Sequence, residues 1–276
     1  MYTKGRSGLT ILHAAFSMSR RFFWARVLGT WCAFQYLQGQ DIDFLPRRST
    51  GTLCSHTRFT VSYVEKHHLS EWVAYRLIDS MIVGGAERSN RFVPDPDLPN
   101  GSADPKMYAK SGYDKGHLCP AADMMYSSEA MQETFYTSNI APQLPRLNRI
   151  AWKHLEEQVR SWAKQYGDLI IVTGPVLRDS LPFIGTTEHI SIPEYFYKVV
   201  LDNAPSHRKA IGFIMPNREC GPDLSAYTVS VDSVEALTHL DFFATLPDSV
   251  QCALENHCNA EVWGIGNKEN HTKEKK

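Results

Sequence analysis

The sequence predicts an α+β fold, an antiparallel sheet core flanked by helices, on three observations. Two segments with strand-like alternation sit on either side of a short polar turn. A continuous apolar run bounded by Gly174-Pro175 reads as a buried strand, and a stretch before it carries apolar residues at helical spacing. Taken in order, residues 58–64 place Phe59, Val61 and Tyr63 on one face, and residues 72–77 form their antiparallel neighbour across the mostly polar turn 65–70. Residues 84–109 are rich in Gly, Pro, Asn and Asp and read as a long irregular loop of the kind that often carries function. Ala151, Leu155, Val159, Trp162 and Tyr166 recur at three- and four-residue steps, which predicts an amphipathic helix over 147–166, with Pro145 in its first turn and Gly167 as its stop. Residues 169–173 form the buried central strand, residues 197–201 and 210–215 two more strands, and residues 233–238 a short helix. Without internal repeats, the expected organisation is a leader or N-terminal extension over 1–45, one domain over 46–265 and a charged tail over 266–276.

Of the 276 residues, 43% are hydrophobic, enough to fill the core of one large domain. With 29 Lys+Arg against 30 Asp+Glu the chain is no basic coat for a polyanion, so any such contact has to come from a local basic cleft. Six cysteines, at 32, 54, 119, 220, 252 and 258, form no CxxC pair and lack the spacing of a structural zinc site. The spacing of Cys252 and Cys258 would allow a disulfide, and His257 beside Cys258 invites a metal reading; a polar loop is the plainer account. Arg20, Arg21 and Arg26 precede or flank the apolar run 27–34, which is too short to span a membrane and resembles the apolar segment of a signal peptide. Met18 would start an ordinary leader ending near Gln38-Gly39-Gln40. Export to a periplasm or the medium is the expectation, with an uncleaved anchor or a plain extension as the alternatives, since no small-x-small cleavage site is evident.

The densest chemistry lies in Tyr113-Asp114-Lys115-Gly116-His117-Leu118. Hydrolysing a phosphodiester in neutral water requires a base, charge to offset the negative phosphorane, and help for the leaving oxygen. His117 is the candidate base, because its ordinary pKa leaves a neutral imidazole at pH 7. Asp114 would orient a strand or a metal-bound water, or else cap the turn at Gly116; Lys115 would steady a phosphate, or else remain a solvated cation. Asn148, Trp152 and Glu156 follow at four-residue steps along the predicted helix, so an amide oxygen and a carboxylate two turns apart can serve one hydrated cation. Mg²⁺ tolerates few protein ligands, whereas helix capping is the plainer role for Asn148 alone. Trp152 reads as packing beneath that helix rather than as a base-stacking platform.

These motifs, with Phe135-Tyr136-Thr137-Ser138-Asn139-Ile140-Ala141-Pro142-Gln143 and Leu147-Asn148-Arg149, resemble the DNA/RNA non-specific endonucleases, the ββα-metal or His-Me finger nucleases that include secreted bacterial nucleases and mitochondrial endonuclease G. Outlying pieces such as Glu71-Trp72-Val73-Ala74-Tyr75, Val172-Thr173-Gly174-Pro175 and Tyr197-Lys198-Val199 extend the likeness from about Thr50 to Trp263. The resemblance implies a ββα-metal motif around His117 and the Asn148 helix, with His117 as general base and Asn148 as the direct ligand of a Mg²⁺ ion, Mn²⁺ being a substitute. It implies that Glu156 holds that metal through water, that Asn139 supports the histidine and the transition state, and that Arg91 is the loop arginine on phosphate, with Arg88 as its close competitor. The family usually carries arginine where this chain has Lys115; lysine keeps the charge but loses the planar fork.

The resulting expectation is a Mg²⁺-dependent endonuclease acting on DNA and RNA with little sequence preference and leaving 5′-phosphates. The alternative is a catalytically impaired relative that only binds nucleic acid. An inhibitor protein and a homodimer are further expected partners on the same resemblance, although the predicted helices carry no extended heptad seam.

Overall fold

In the computed structural model the described residues are 44–266; the expected leader up to residue 43 and the tail from residue 267 lie outside them. The strands are β1 (Thr52–Ser55), β2 (Phe59–Val64), β3 (Leu69–Ile78), β4 (Asp114–His117), β5 (Ile140–Gln143), β6 (Asp168–Pro175), β7 (Phe183–Ile184), β8 (Ile190–Ser191), β9 (Tyr195–Asp202), β10 (Lys209–Pro216) and β11 (Thr228–Val229). The helices are α1 (Ser128–Glu133), α2 (Lys153–Tyr166), α3 (Val231–Thr238) and α4 (Asp248–Glu255). No helix among the described residues is long and apolar enough to cross a membrane.

Seven strands form one sheet in the order β1-β2-β3-β6-β9-β10-β11, every pairing antiparallel. The expected pairing of residues 58–64 with 72–77 is β2 against β3, with a register shift at Ser62/Tyr63. The apolar run 169–173 lies in β6, the middle strand, and continues through Gly174 to Pro175 instead of stopping before them. It reads as uninterrupted because both faces are covered: Leu169 and Ile171 enter one core, Ile170 and Val172 the other. Along β9 the same alternation puts Phe196 and Val200 on the first face and Tyr197, Val199 and Leu201 on the second. Lys198, between Tyr197 and Val199, therefore shares the face of Phe196 and Val200.

The first face carries α2 through Leu155, Val159 and Trp162, all buried. The second carries α3 through Val231 and Val234, and α4 through Leu254. Gly167 ends α2 at φ +89°, a conformation that a side chain would strain. Cys252 and Cys258 are both free and exposed, so the permitted disulfide is not formed.

Candidate active site

Two short strands frame the site. β4 pairs antiparallel with β5, Asp114 opposite Gln143 and His117 opposite Ile140, and the chain then enters a helix whose first six residues, Leu147–Trp152, form a π-helical turn ahead of α2. This is the expected ββα arrangement. Gly116 is required by close approach, since a Cβ there would stand 2.2 Å from the Gln143 side-chain oxygen.

The His117 ring is one corner of an aromatic triangle, with Phe92 at 5.6 Å and Phe135 at 4.9 Å, the latter edge-on, and those two rings 5.0 Å from each other. Its Nε2 is sealed from solvent and has no hydrogen-bond partner among the described residues. Two cations lie against the same rings: Arg88 is 5.3 Å from the centre of Phe135, and Lys115 Nζ is 5.2 Å from Phe92 and 5.6 Å from Tyr108. Burial first, and then the Arg88 charge, depress the His117 pKa to about 3, so the imidazole is neutral throughout the physiological range.

Arg88, not Arg91, is the loop arginine that the fold brings to this histidine. The interaction found for Arg91 is its backbone N–H donating to Ser89 Oγ, and its side chain is exposed. Sequence spacing cannot separate the two, because the loop is irregular and its path depends on Phe135, more than forty positions away.

Asn139 acts through the backbone. It is fully buried, its Oδ1 accepts from Cys119 N–H, and its Nδ2 donates to the carbonyls of Cys119 and Thr134. Both amide protons are thereby used, and the side chain fixes the turn immediately after His117. A second clamp holds the neighbouring Ser138, whose hydroxyl donates to Asp95, while Asp95 lies 3.0 Å from His56 Nε2. Burial alone would lower the His56 pKa, but hydrogen bonds with Asp95 and Cys54 and the Asp95 charge outweigh it and carry it to about 10. The irregular loop is thus anchored to the same turn that positions the histidine.

Asn148 does not cap its helix. Its backbone N–H donates to Leu144 and its side-chain Nδ2 donates to Asp114 Oδ2 at 3.0 Å, which leaves Oδ1 available as a hard oxygen donor. Asp114 also accepts the fork of Arg149 at 2.8 and 2.6 Å. Burial opposes ionisation of Asp114, yet the Arg149 and Asn148 hydrogen bonds and the Arg149 charge together hold its pKa below the ordinary value. The carboxylate accordingly orients the amide. The π turn adds a residue to the helical register between Asn148 and Trp152, so the simple four-step face expected from sequence does not apply there. Trp152 is fully buried, as its packing role required, and donates weakly to the His117 carbonyl at 3.4 Å.

Glu156 lies among charges that sequence reading had not gathered. Burial pushes its pKa up, Lys198 opposes that most strongly, Asp123 adds to it, and Arg160 and Arg88 oppose it. Lys198 is fully buried with no hydrogen-bond partner for Nζ among the described residues, and Nζ lies 4.9 Å from the Trp152 ring. Arg160 donates to Asp123 at 2.8 Å, and Tyr75 OH to the other oxygen of the same carboxylate. Both missed cations left a signal: Arg160 lies four residues after Glu156 on α2, and Lys198 interrupts an otherwise apolar strand.

The donor set fits a hard divalent ion, with one oriented amide oxygen, one carboxylate beside compensating cations, and a neutral base.

Comparison with known proteins agrees. A model of the DNA/RNA non-specific endonuclease family matches residues 45–249, a span that takes in all eleven strands. A nuclease of Nostoc sp. is 34% identical over 211 residues, covering 72% of this chain and 76% of its own. The human mitochondrial nuclease EXOG is 33% identical over 235 residues, covering 79% of this chain and 63% of its own, so the chain spans less than two thirds of that relative. Among solved structures, a chain in the crystal structure of the EndoG/EndoGI complex superposes with a TM-score of 0.66 at 28% identity, over 72% of this chain and 88% of the other. Sequence, topology and site thus lead to one conclusion: this chain belongs to the DNA/RNA non-specific endonuclease family and is a nuclease.

Proposed function

We propose that the protein is a Mg²⁺-dependent endonuclease that cuts DNA and RNA with little sequence preference, His117 serving as general base. The observation that carries this reading is an imidazole packed against Phe92 and Phe135, with cations on both rings and an oriented amide on the adjoining helix. Because Nε2 is sealed, the other ring nitrogen, Nδ1, is the one that takes the proton from the attacking water. Asn148 Oδ1 would hold the metal directly and Glu156 through water, with Mn²⁺ able to replace Mg²⁺. When bound, the ion supplies charge to the phosphate and to the leaving 3′ oxygen. Arg88 and Lys115 balance the remaining phosphate charge, and the product carries the 5′-phosphate. Supercoiled plasmid incubated with purified protein is nicked in Mg²⁺ and left intact in excess EDTA; a protein that retards the plasmid on a gel yet never nicks it in Mg²⁺ or Mn²⁺ is the impaired, binding-only relative instead.

Two substitutions divide the phosphate contacts. Arg88→Ala lowers kcat/KM by about 10- to 100-fold, the value of a charge-assisted contact, whereas Arg91→Ala stays within about threefold of wild type. The reverse order returns the role to Arg91. Lys115→Arg maintains or raises turnover, because a guanidinium keeps the charge, restores the fork and stacks on Phe92 and Tyr108. A fall in turnover shows that lysine is not the weaker substitute at this position.

Export is part of the same proposal, resting on the Arg20, Arg21 and Arg26 flank of the apolar run 27–34, and N-terminal sequencing of the mature protein tests it. A protein inhibitor is a proposed partner, on the likeness to EndoG as solved in its complex with EndoGI.

A further inference from the structure

On the face of the sheet opposite the candidate active site, three carboxylates converge where α3 meets the end of α4. Asp232 lies in the first turn of α3, Glu235 about one turn later, and Glu255 is the last residue of α4. One oxygen from each lies within 4.8 Å of the others. Glu235 Oε1 is held by Phe242 N–H at 2.7 Å. Glu255 is only 6% exposed, and its Oε1 is sealed from solvent with no hydrogen-bond partner among the described residues. The surrounding charges make matters worse, since Asp241 is also acidic and its cation, Arg48, is an exposed side chain 3.8 Å away from it.

We propose that Asp232, Glu235 and Glu255 form a calcium site that ties α3 to α4, separate from the catalytic metal. Three carboxylates this close cannot all stay ionised, one of them without a partner in the interior, unless a proton or a cation joins them. Burial, followed by the charges of Glu235, Asp232 and Asp241, raises the Glu255 pKa to about 8, so the repulsion grows as pH rises through that value. The donors are all oxygen, which excludes a soft metal. Three oxygens within 4.8 Å of one another can share one hard ion, and Ca²⁺, whose coordination is flexible, completes its shell with water on the exposed Asp232 side. Mg²⁺ demands near-octahedral geometry and gives up its water reluctantly, so three side chains brought together from two helices hold it less readily.

The test is thermal unfolding at pH 8 of the Asn148→Ala protein, which lacks the proposed direct ligand of the catalytic metal, with and without CaCl₂. Saturating Ca²⁺, about ten times the dissociation constant, raises Tm by about 3–6 °C, and MgCl₂ at the same concentration does less. Adding Glu255→Gln, or the exposed Asp232→Asn should the former fold poorly, weakens apparent Ca²⁺ affinity at least tenfold. Either change leaves the metal-free Tm equal to or above that of the parent, because a like charge has gone. No Tm response up to about 10 mM CaCl₂, beyond the weakest ordinary calcium sites, overturns the site. An undiminished response in both double variants does the same. A Tm that climbs from pH 8 to pH 6 and ignores Ca²⁺ assigns the triad to a shared proton instead.

Discussion

Replacing His117 with alanine lowers plasmid nicking at saturating Mg²⁺ by about 10²- to 10⁴-fold, the range that a positioned general base contributes. The loss is chemical rather than structural. The pairing of His117 in β4 runs through its backbone opposite Ile140, and its Nε2 supports no other group, so the variant keeps its circular-dichroism spectrum and its affinity for nucleic acid. A variant that nicks at the wild-type rate removes His117 from the mechanism. The half-buried ring, with its Nε2 sealed, also predicts the pH profile. Burial and Arg88 hold the pKa at about 3, below the ordinary value, so the neutral base persists as the solution is acidified. At saturating metal, kcat/KM is expected to hold between pH 7.5 and 5.5, where a histidine titrating near 6.5 would cost about tenfold. Burial also raises the Glu156 pKa to about 7, so a tenfold fall near 6.5 counts against the sealed ring only if it persists in Glu156→Gln, where it would show that substrate or solvent opens the ring to water.

The elements read correctly from sequence were those with a local signature. β2 alternates, β3 and β6 are nearly continuously apolar because both are covered twice, and α2 carries its buried residues at helical steps up to Gly167. The strands that frame the site had no such signature. β4 is Asp-Lys-Gly-His, with no apolar alternation, and β5 contains Pro142; each is a strand only because the other lies beside it. Asn217 helps to fix that pair, its amide donating to the carbonyls of Pro142 and Pro193 and its oxygen accepting from Leu144 N–H. That is long-range information which no window of residues contains. The same limit explains the arginines, since only the folded loop decides whether Arg88 or Arg91 meets Phe135. Lys198 differs, because a lysine between Tyr197 and Val199 in a buried strand was visible as an anomaly whose cause, the neighbouring Glu156, had to await the fold.

Replacing Asn148 with alanine abolishes detectable nicking at ordinary Mg²⁺ and raises the half-saturating Mg²⁺ by well over 100-fold. Asp114→Ala raises it by only about 10- to 100-fold, the usual cost of losing a group that orients a ligand. The order follows from the hydrogen bonds. Asp114 takes one amide proton of Asn148 and both arms of Arg149, so in the proposed site it fixes which end of the amide faces outward and would contribute no oxygen to the ion. Its low pKa keeps it charged for that purpose. Truncating Asn148 removes the oxygen itself, and a site with so few protein ligands has none to spare. Capping makes the opposite prediction: if Asn148 served mainly to start its helix, alanine would cost about 1 kcal/mol of stability and leave the Mg²⁺ requirement unchanged. Measuring nicking against Mg²⁺ concentration together with Tm separates the two. A large stability loss with wild-type Mg²⁺ dependence would return Asn148 to the helix, and the search for the metal ligand would then turn to Glu156 and its neighbours.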